Sequence, residues 1–360
     1  MIPGFLAAAV LAWISIWLAD FIGTTLMGFS KSPVSSIMMA LLLGLIIGNV
    51  FRLPGSLQPG LTFSVKKLLR LGIILLGIRL SILDVFRLGA LGVPIVVFCI
   101  AGALFFTTRI NKWLKLPERL GTLIAVGTSI CGVSAIVATG PAIDAEEEEV
   151  AYAVAVITIF GLLATLVYPY VANLLFAGDA VKAGLFLGTS IHDTSQVTGS
   201  AFVYSEVFTA LTALDTAVVT KLVRNVFMAL VIPFMAYYYT RRAAGESGGE
   251  KTSIARLLPQ FVLGFVILAM VRSIGDAGIN AGGNAFRIWD EATWTTIHRF
   301  VKTWAGNFMV VALAGVGLKT RLNIIKGLGI KPFLVGLAAA LMVGLVSFIA
   351  ISLLGSFVAF

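Results

Sequence analysis

The stretch LGTSIHDTSQVTGSAF, Leu187 to Phe202, decides how this chain is read. It carries three threonines, three serines, a glutamine and the adjacent pair His192-Asp193, yet it lies between long apolar runs. Across 360 residues, 59% are hydrophobic, 12% are charged, and mean hydropathy is +1.02, far above the range of soluble domains. Apolar runs near the ~20 residues that cross a bilayer recur along the chain, so a single anchor on a soluble enzyme is excluded. A polar stretch inside such a run predicts an interrupted helix, because backbone groups in hydrocarbon must be satisfied within the protein.

The runs fall at 5-27, 35-51, 65-83, 88-107, 119-142, 150-175, 181-204, 213-239, 257-275, 297-318 and 332-356. They predict an all-α polytopic membrane protein of 10-11 transmembrane helices, with 1-360 forming one transmembrane domain. Continuous runs of this kind do not match the alternating strands of a β-barrel. The first run has no basic residue before it and no clear cleavage site, and it is read as a retained helix. Cys99 and Cys131 both lie in apolar runs, so no disulfide or metal spacing is present, and no cofactor is expected.

The net charge of +9 comes from basic residues at the ends of runs, which reads as topology and not as nucleic-acid binding. Basic loops at 109-119, 240-256 and 319-331 follow even-numbered runs. The positive-inside rule makes them cytoplasmic, with the N-terminus inside and the acidic run DAEEEE, Asp144 to Glu149, as a solvated helix cap on the outer side. The protein is expected in the cell inner membrane.

Two repetitions suggest internal symmetry. GIRLSILDVFRLG, Gly77 to Gly89, resembles GLKTRLNIIKGLG, Gly317 to Gly329, at an odd span offset, which is the mark of inverted topology. GTSICGVSA, Gly127 to Ala135, opens with the same four residues as GTSIHDTSQ, Gly188 to Gln196. Only one run separates these two. Two full crossings would therefore run in the same direction, against inverted symmetry, unless one of them is a re-entrant hairpin.

A broken helix exposes dipoles and hydroxyls to a cavity. Thr128, Ser129, Gly132 and Ser134, with Thr189, Ser190, His192, Thr194, Ser195 and Gln196, form two candidate half-sites for a small anion. The competing reading is close helix packing with hydroxyls bonded back to their own helix. His192 and Asp193 are proton-coupling candidates that cannot share a helical face, with Asp193 also suited to stabilising the break. Lys221 and Arg224 lie three residues apart, hence on one face, which Thr216 and Thr220 extend; Arg224 is assigned to the substrate, and Lys221, Arg79 and Lys319 are supporting basic residues.

At LLGIRLSILDV (Leu75 to Val85), GTSICGVSAIVATGPAIDAEEEEVAYA (Gly127 to Ala153), GTSIHDTSQVTGSA (Gly188 to Ala201) and, more loosely, Val219 with Lys221 to Met228, the chain resembles the YeiH-type sulfate exporter family of bacterial inner-membrane proteins. The resemblance covers nearly the whole chain from the second run onward. It implies kinship with cation/proton antiporters and bile-acid-type symporters, inverted repeats, discontinuous helices, and a core that moves against a scaffold.

The residues favour an anion, because the motifs offer Asp193 and no carboxylate pair beside His192, Lys221 and Arg224. The function expected is export of sulfate, a sulfonate or a carboxylate, proton-modulated or as a uniport. An inside-negative potential supplies roughly 4-5 kcal/mol toward exit of a dianion at 100 mV. The alternative is a monovalent cation/proton antiporter centred on Asp193 and His192. No enzyme is expected, since no metal cluster or nucleophile-base pair stands out. Besides the anion and the bilayer, a homodimer is one assembly such a chain can form.

Overall fold

The structure, a computed structural model, describes residues 1-26, 35-243, 260-321 and 330-358. Among these the chain is helical, and the one extended pairing is a bridge between Ala285 and Trp289. Six single helices are long and apolar enough to cross a membrane, and the pair Leu211–Val226 with Leu230–Tyr239, bent by 43°, makes a seventh if taken as one span. The expected class, an all-α polytopic membrane protein, is the observed one.

The chain divides into two compact units. The first comprises Met1–Arg87, Phe202–Thr209 and Gln260–Arg321; the second comprises Leu88–Ala201, Ala210–Pro259 and Leu322–Phe360.

In the first unit, α1 (Ile2–Asp20) continues through a π-helical turn to Leu26, and α2 (Ser36–Val50) follows. The helix from Gln58 to Arg79 is pieced from α3 (Gln58–Phe63), a π turn, α4 (Leu69–Leu76) and a 3-10 turn. Glycine lets these segments meet backbone to backbone. A Cβ on Gly44 would stand 2.7 Å from the Ala314 carbonyl, and one on Gly77 would stand 2.3 Å from that of Phe265. Helices α13 (Gln260–Asn280) and α14 (Glu291–Lys319) complete the unit.

Gly77 and Gly317, which open the first sequence repeat, both lie near helix C-termini pressed on a neighbouring backbone, Gly317 against Leu41. Residues 322-329 of the later copy lie outside the described residues, as does 244-259 of the basic loop 240-256.

The second unit holds the polar motifs. Helix α5 (Ile82–Leu114) enters it from the first unit, and α6 (Glu118–Ser129), α7 (Val133–Thr139), α8 (Glu147–Phe176), α9 (Ala180–Ser190), α10 (Thr194–Val207, whose residues from Phe202 onward count with the first unit), α11 (Leu211–Val226), α12 (Met228–Ala243) and α15 (Ile330–Leu354) follow.

The segment 118-143 does not cross. Leu116 and Leu120 at its start share one apolar cluster with Ile143 at its end and Ala153 of α8. A Cβ on Gly127 would stand 2.7 Å from Cδ1 of Ile136, nine residues on, where a straight helix would separate them by ~13.5 Å. The reversal is made at Gly132, whose φ of +66° is open to glycine.

The segment 180-207 also turns back. Gly184 of α9 abuts Ala213 and Thr216, and Gly188 abuts Ala217 and Thr220, so α9 and α11 run in parallel. Had the 14 residues of α10 continued in the direction of α9, Val207 would end ~35 Å from the start of α11. Four residues reach only about 14 Å, so α10 returns the way α9 came.

The two hairpins enter the second unit from opposite ends. Arg119, at the mouth of the first, donates to the Tyr239 hydroxyl at 3.3 Å and feels the charges of Glu149 and Glu146, so all four mark one end. Helix α8 leads from that end to the mouth of the second hairpin, and α11 with α12 leads back. This resolves the two GTSI segments: they are inverted hairpins, each followed by a long helical span.

It also corrects the expected placement of DAEEEE. The acidic run shares an end with basic Arg119, because the hairpin returns the chain to the side it left. Its role as a helix cap holds, with Glu146 and Glu149 forming a capping box at the start of α8.

Candidate functional site

The hairpin tips meet at two cations on α11. Lys221 and Arg224 are both fully buried, at 0% exposure. Lys221 Nζ donates to the carbonyls of Ile130 (2.7 Å), Ile191 (3.0 Å) and His192 (2.5 Å), which uses all three ammonium protons across both tips. Arg224 donates through Nε to Ser129 O (2.7 Å), through Nη2 to Thr128 O (2.6 Å) and through Nη1 to Thr189 O (2.5 Å) and Ile191 O (3.4 Å).

These carbonyls are the free ends of α6 and α9. A helix C-terminus leaves carbonyls unbonded and carries a partial negative charge. Deep in a membrane that end needs a cation, and α11 supplies two, each bonded to both tips. The glycines explain why α11 lies close enough: a Cβ on Gly188 would stand 2.7 Å from Thr220 Cβ, and one on Gly184 would stand 2.6 Å from the Ala213 carbonyl.

The start of α10 is closed differently. Asp193 Oδ1 accepts from Ser195 N (2.8 Å) and from the Ser195 hydroxyl, while Gln196 Oε1 accepts from Asp193 N at 3.1 Å. DTSQ is thus a capping box, with a carboxylate on the positive helix end. Gln196 Nε2 reaches the Thr158 carbonyl (3.2 Å), and a Cβ on Gly161 would stand 2.0 Å from Oε1, so α8 gives up a side chain to admit Gln196.

Of the hydroxyls singled out in the sequence, Ser129, Thr189 and Ser190 bond back to their own helices, at Val126 O (3.1 Å), Leu185 O (2.7 Å) and Phe186 O (2.6 Å). Ser134 lies on an exposed side of α7. The Thr194 hydroxyl accepts from Asn225 Nδ2 at 3.0 Å. Gly132 sits at the tip, where a Cβ would be 3.5 Å from that of Asp193, so the two reversals lie side by side.

Among the described residues of this unit, the buried polar atoms without a hydrogen-bond partner are Thr107 Oγ1, Asn111 Oδ1, Thr128 Oγ1, both ring nitrogens of His192, Ser200 Oγ, Thr216 Oγ1 and Asn225 Oδ1. Each such atom costs about 1-3 kcal/mol. Those of Thr128, His192 and Asn225 gather where the tips meet α11: the carbonyls of Thr128 and His192 are on Arg224 and Lys221, and Asn225 lies one turn beyond Lys221. His192 is 1% exposed.

Arg79 and Lys319 belong to the first unit. Lys319 Nζ donates to the Thr62 hydroxyl at 2.7 Å, and the Arg79 carbonyl accepts from Arg272. Sequence reasoning did not single out Gly161 or the carbonyls of Ile130 and Ile191. Backbone acceptors leave no side-chain signal, though a buried Lys-x-x-Arg face facing two Gly-Thr-Ser breaks points toward them.

A discontinuous-helix membrane protein built on paired hairpin tips is the class this architecture defines. The chain belongs to the family described as conserved hypothetical protein 698, which matches residues 3–336. It is 30% identical to a UPF0324 membrane protein of Streptococcus agalactiae over 99% of this chain and 98% of that one. It is 31% identical to a UPF0324 membrane protein of Clostridium tetani over 98% and 97%, and 30% identical to one of Fusobacterium nucleatum over 88% and 90%. No solved structure matches.

Proposed function

We propose that this multi-pass membrane protein is a secondary transporter of a small anion, of the YeiH type, and not an enzyme. The observation that carries the reading is the state of the two hairpin tips. Their electronegative carbonyl ends are already occupied by Lys221 and Arg224, while hydroxyl and imidazole groups beside them have no partner.

Two buried cations stand against one carboxylate, Asp193, which is committed to capping α10. The formal excess is one positive charge, which suits an oxyanion accepting hydrogen bonds from Thr128 and His192, with Arg224 as the nearby charge. Sulfate, a sulfonate or a carboxylate has this chemistry. A cation/proton antiporter would need a carboxylate open to the cavity, and Asp193 is engaged.

Hairpins entering from opposite ends give a site that each side of a membrane can approach in turn. Export down an inside-negative potential needs no coupling ion, and His192 supplies proton sensitivity. The end carrying Arg109, Lys112, Lys115 and Arg119 is assigned to the cytoplasm by its basic charge, with the N-terminus on that side and the chain in the inner membrane.

Proteoliposomes loaded with labelled sulfate test this. Efflux should accelerate when a negative interior is imposed and should vanish with His192→Ala. No acceleration for any of a panel of sulfate, sulfonates and carboxylates would reject the anion reading, and proton movement on adding sodium would replace it with the antiporter.

A further inference from the structure

Away from the tips, the ends of α5 and α12 enclose a groove of about 410 Å³. Its floor is apolar, with Leu104 and Phe105 on α5 facing Phe234 on α12, and its rim carries Arg109, Lys112 and Tyr238. Phe105 and Phe234 remain 54% and 59% exposed, so the floor faces outward from this unit. The Arg109 guanidinium lies 5.1 Å above the Phe105 ring. Neither Arg109 nor Lys112 has an ion-pair partner among the described residues.

We propose that this groove is a binding site for an anionic phospholipid. The order of chemistry along the groove is that of a lipid at a membrane interface: acyl chain against Leu104, Phe105 and Phe234, then a phenol at headgroup level, then two cations. Positions 105, 109 and 112 share one face of α5, so charge and apolar floor are read by one ligand. A zwitterionic head brings its own cation to its phosphate and leaves nothing for the second basic residue. A phosphatidylglycerol or cardiolipin head keeps a net negative charge for the Arg109-Lys112 pair.

The groove continues inward along Lys112 and Tyr238 to Glu118 and Gly121, at the mouth of the first hairpin. Glu118 repels phosphate from that inner end and confines it to the rim. The Asn111 amide, one residue from Lys112, donates to the Gly121 carbonyl at 2.6 Å, so α5 is tied to the hairpin beside the groove. A lipid seated here steadies the base of the hairpin whose tip carries Thr128 and Ser129. Lipid retention is read independently of transport, so this site and the anion-transport reading stand or fall separately.

The test uses the purified full-length protein, delipidated and then offered phosphatidylglycerol or phosphatidylcholine, with retained lipid counted by native mass spectrometry. Phosphatidylglycerol should be retained in preference, and R109Q/K112Q should weaken its retention by roughly tenfold to thirtyfold. K66Q/K67Q, exposed on the first unit, should change nothing.

Equal retention of both lipids by the wild-type protein would overturn the proposal, and this comparison needs no variant. Undiminished retention by R109Q/K112Q, or an equal loss in K66Q/K67Q, would overturn it as well. Displacement of the lipid by an equal concentration of soluble glycerol phosphate would show a free-anion site in its place.

Discussion

The Lys221 ammonium donates a 2.7 Å hydrogen bond to the carbonyl of Ile130, 91 residues earlier in the chain. Its other two protons go to the second hairpin, at Ile191 and His192, so one side chain holds together two reversals that enter from opposite ends. Substituting Lys221→Met removes all three bonds and leaves helix-end carbonyls buried without donors. The expected loss is roughly 2-4 kcal/mol, seen as a lowered midpoint of thermal unfolding in detergent. Arg224→Lys should also destabilise, since a point charge cannot span Thr128, Ser129 and Thr189 as the guanidinium does. Wild-type melting of Lys221→Met would mean that the tips are held by something else.

His192 presents the opposite case. Its ring nitrogens have no partner, so His192→Ala loses packing without stranding a partner and should cost about 1-2 kcal/mol, less than Lys221→Met. What it should abolish is the rise in midpoint produced by the anion proposed above, because a ligand stabilises only the state it binds. An unchanged response across the sulfate, sulfonate and carboxylate panel would remove His192 from the site.

Gly161 and Gln196 offer a packing test. A methyl at Gly161 stands 2.0 Å from Gln196 Oε1 and must expel the side chain that completes the capping box. Gly161→Ala should cost about 1-3 kcal/mol in the wild-type background and close to nothing in a Gln196→Ala background. Additive losses in that double-mutant cycle would show that the two positions do not share a contact.

Outside the membrane-spanning segments, Asp290 caps α14 by accepting from the Thr293 amide at 3.0 Å, and its bonds to Thr293 hold its carboxyl below the usual carboxylate range. A group depressed in the folded state stabilises it above the unfolded value, near 4, and that contribution fades as pH falls through the folded value. Hydrogen exchange at the Thr293 amide should therefore lose protection at acid pH in the wild type, while Asp290→Asn should show no such step.

Much of this was legible in the residues. Hydropathy identifies the class, and the two Gly-Thr-Ser motifs mark where helices break. That the chain reverses at each break was not legible, because runs of 119-142 and 181-204 are long enough to cross. Reversal rests on one positive φ at Gly132 in the first hairpin and on the parallel packing of α9 with α11 in the second, neither of which changes composition.

Serine and threonine were harder still. The same hydroxyl that can face a ligand can bond to the carbonyl four residues back, as Thr189 and Ser190 do. The basic pair stands out on one face of a helix, but its partners are carbonyls, which every residue carries. His192 and Asp193 lie in the break between α9 and α10, where the face rule of a helix does not apply; the Asp193 carboxylate caps α10, and the His192 ring takes no part in that cap.

In membrane carriers, unwound carbonyls and half-helix C-termini are where a sodium ion ordinarily sits. Here the tips carry their own occupants: an ammonium and a guanidinium, covalently tethered to α11 and in hydrogen-bond contact with those oxygens. A free alkali ion would have to evict a resident that cannot diffuse away. The protein thus travels with its counter-ion built in, so its tips should hold their shape in sodium-free, potassium-free solution.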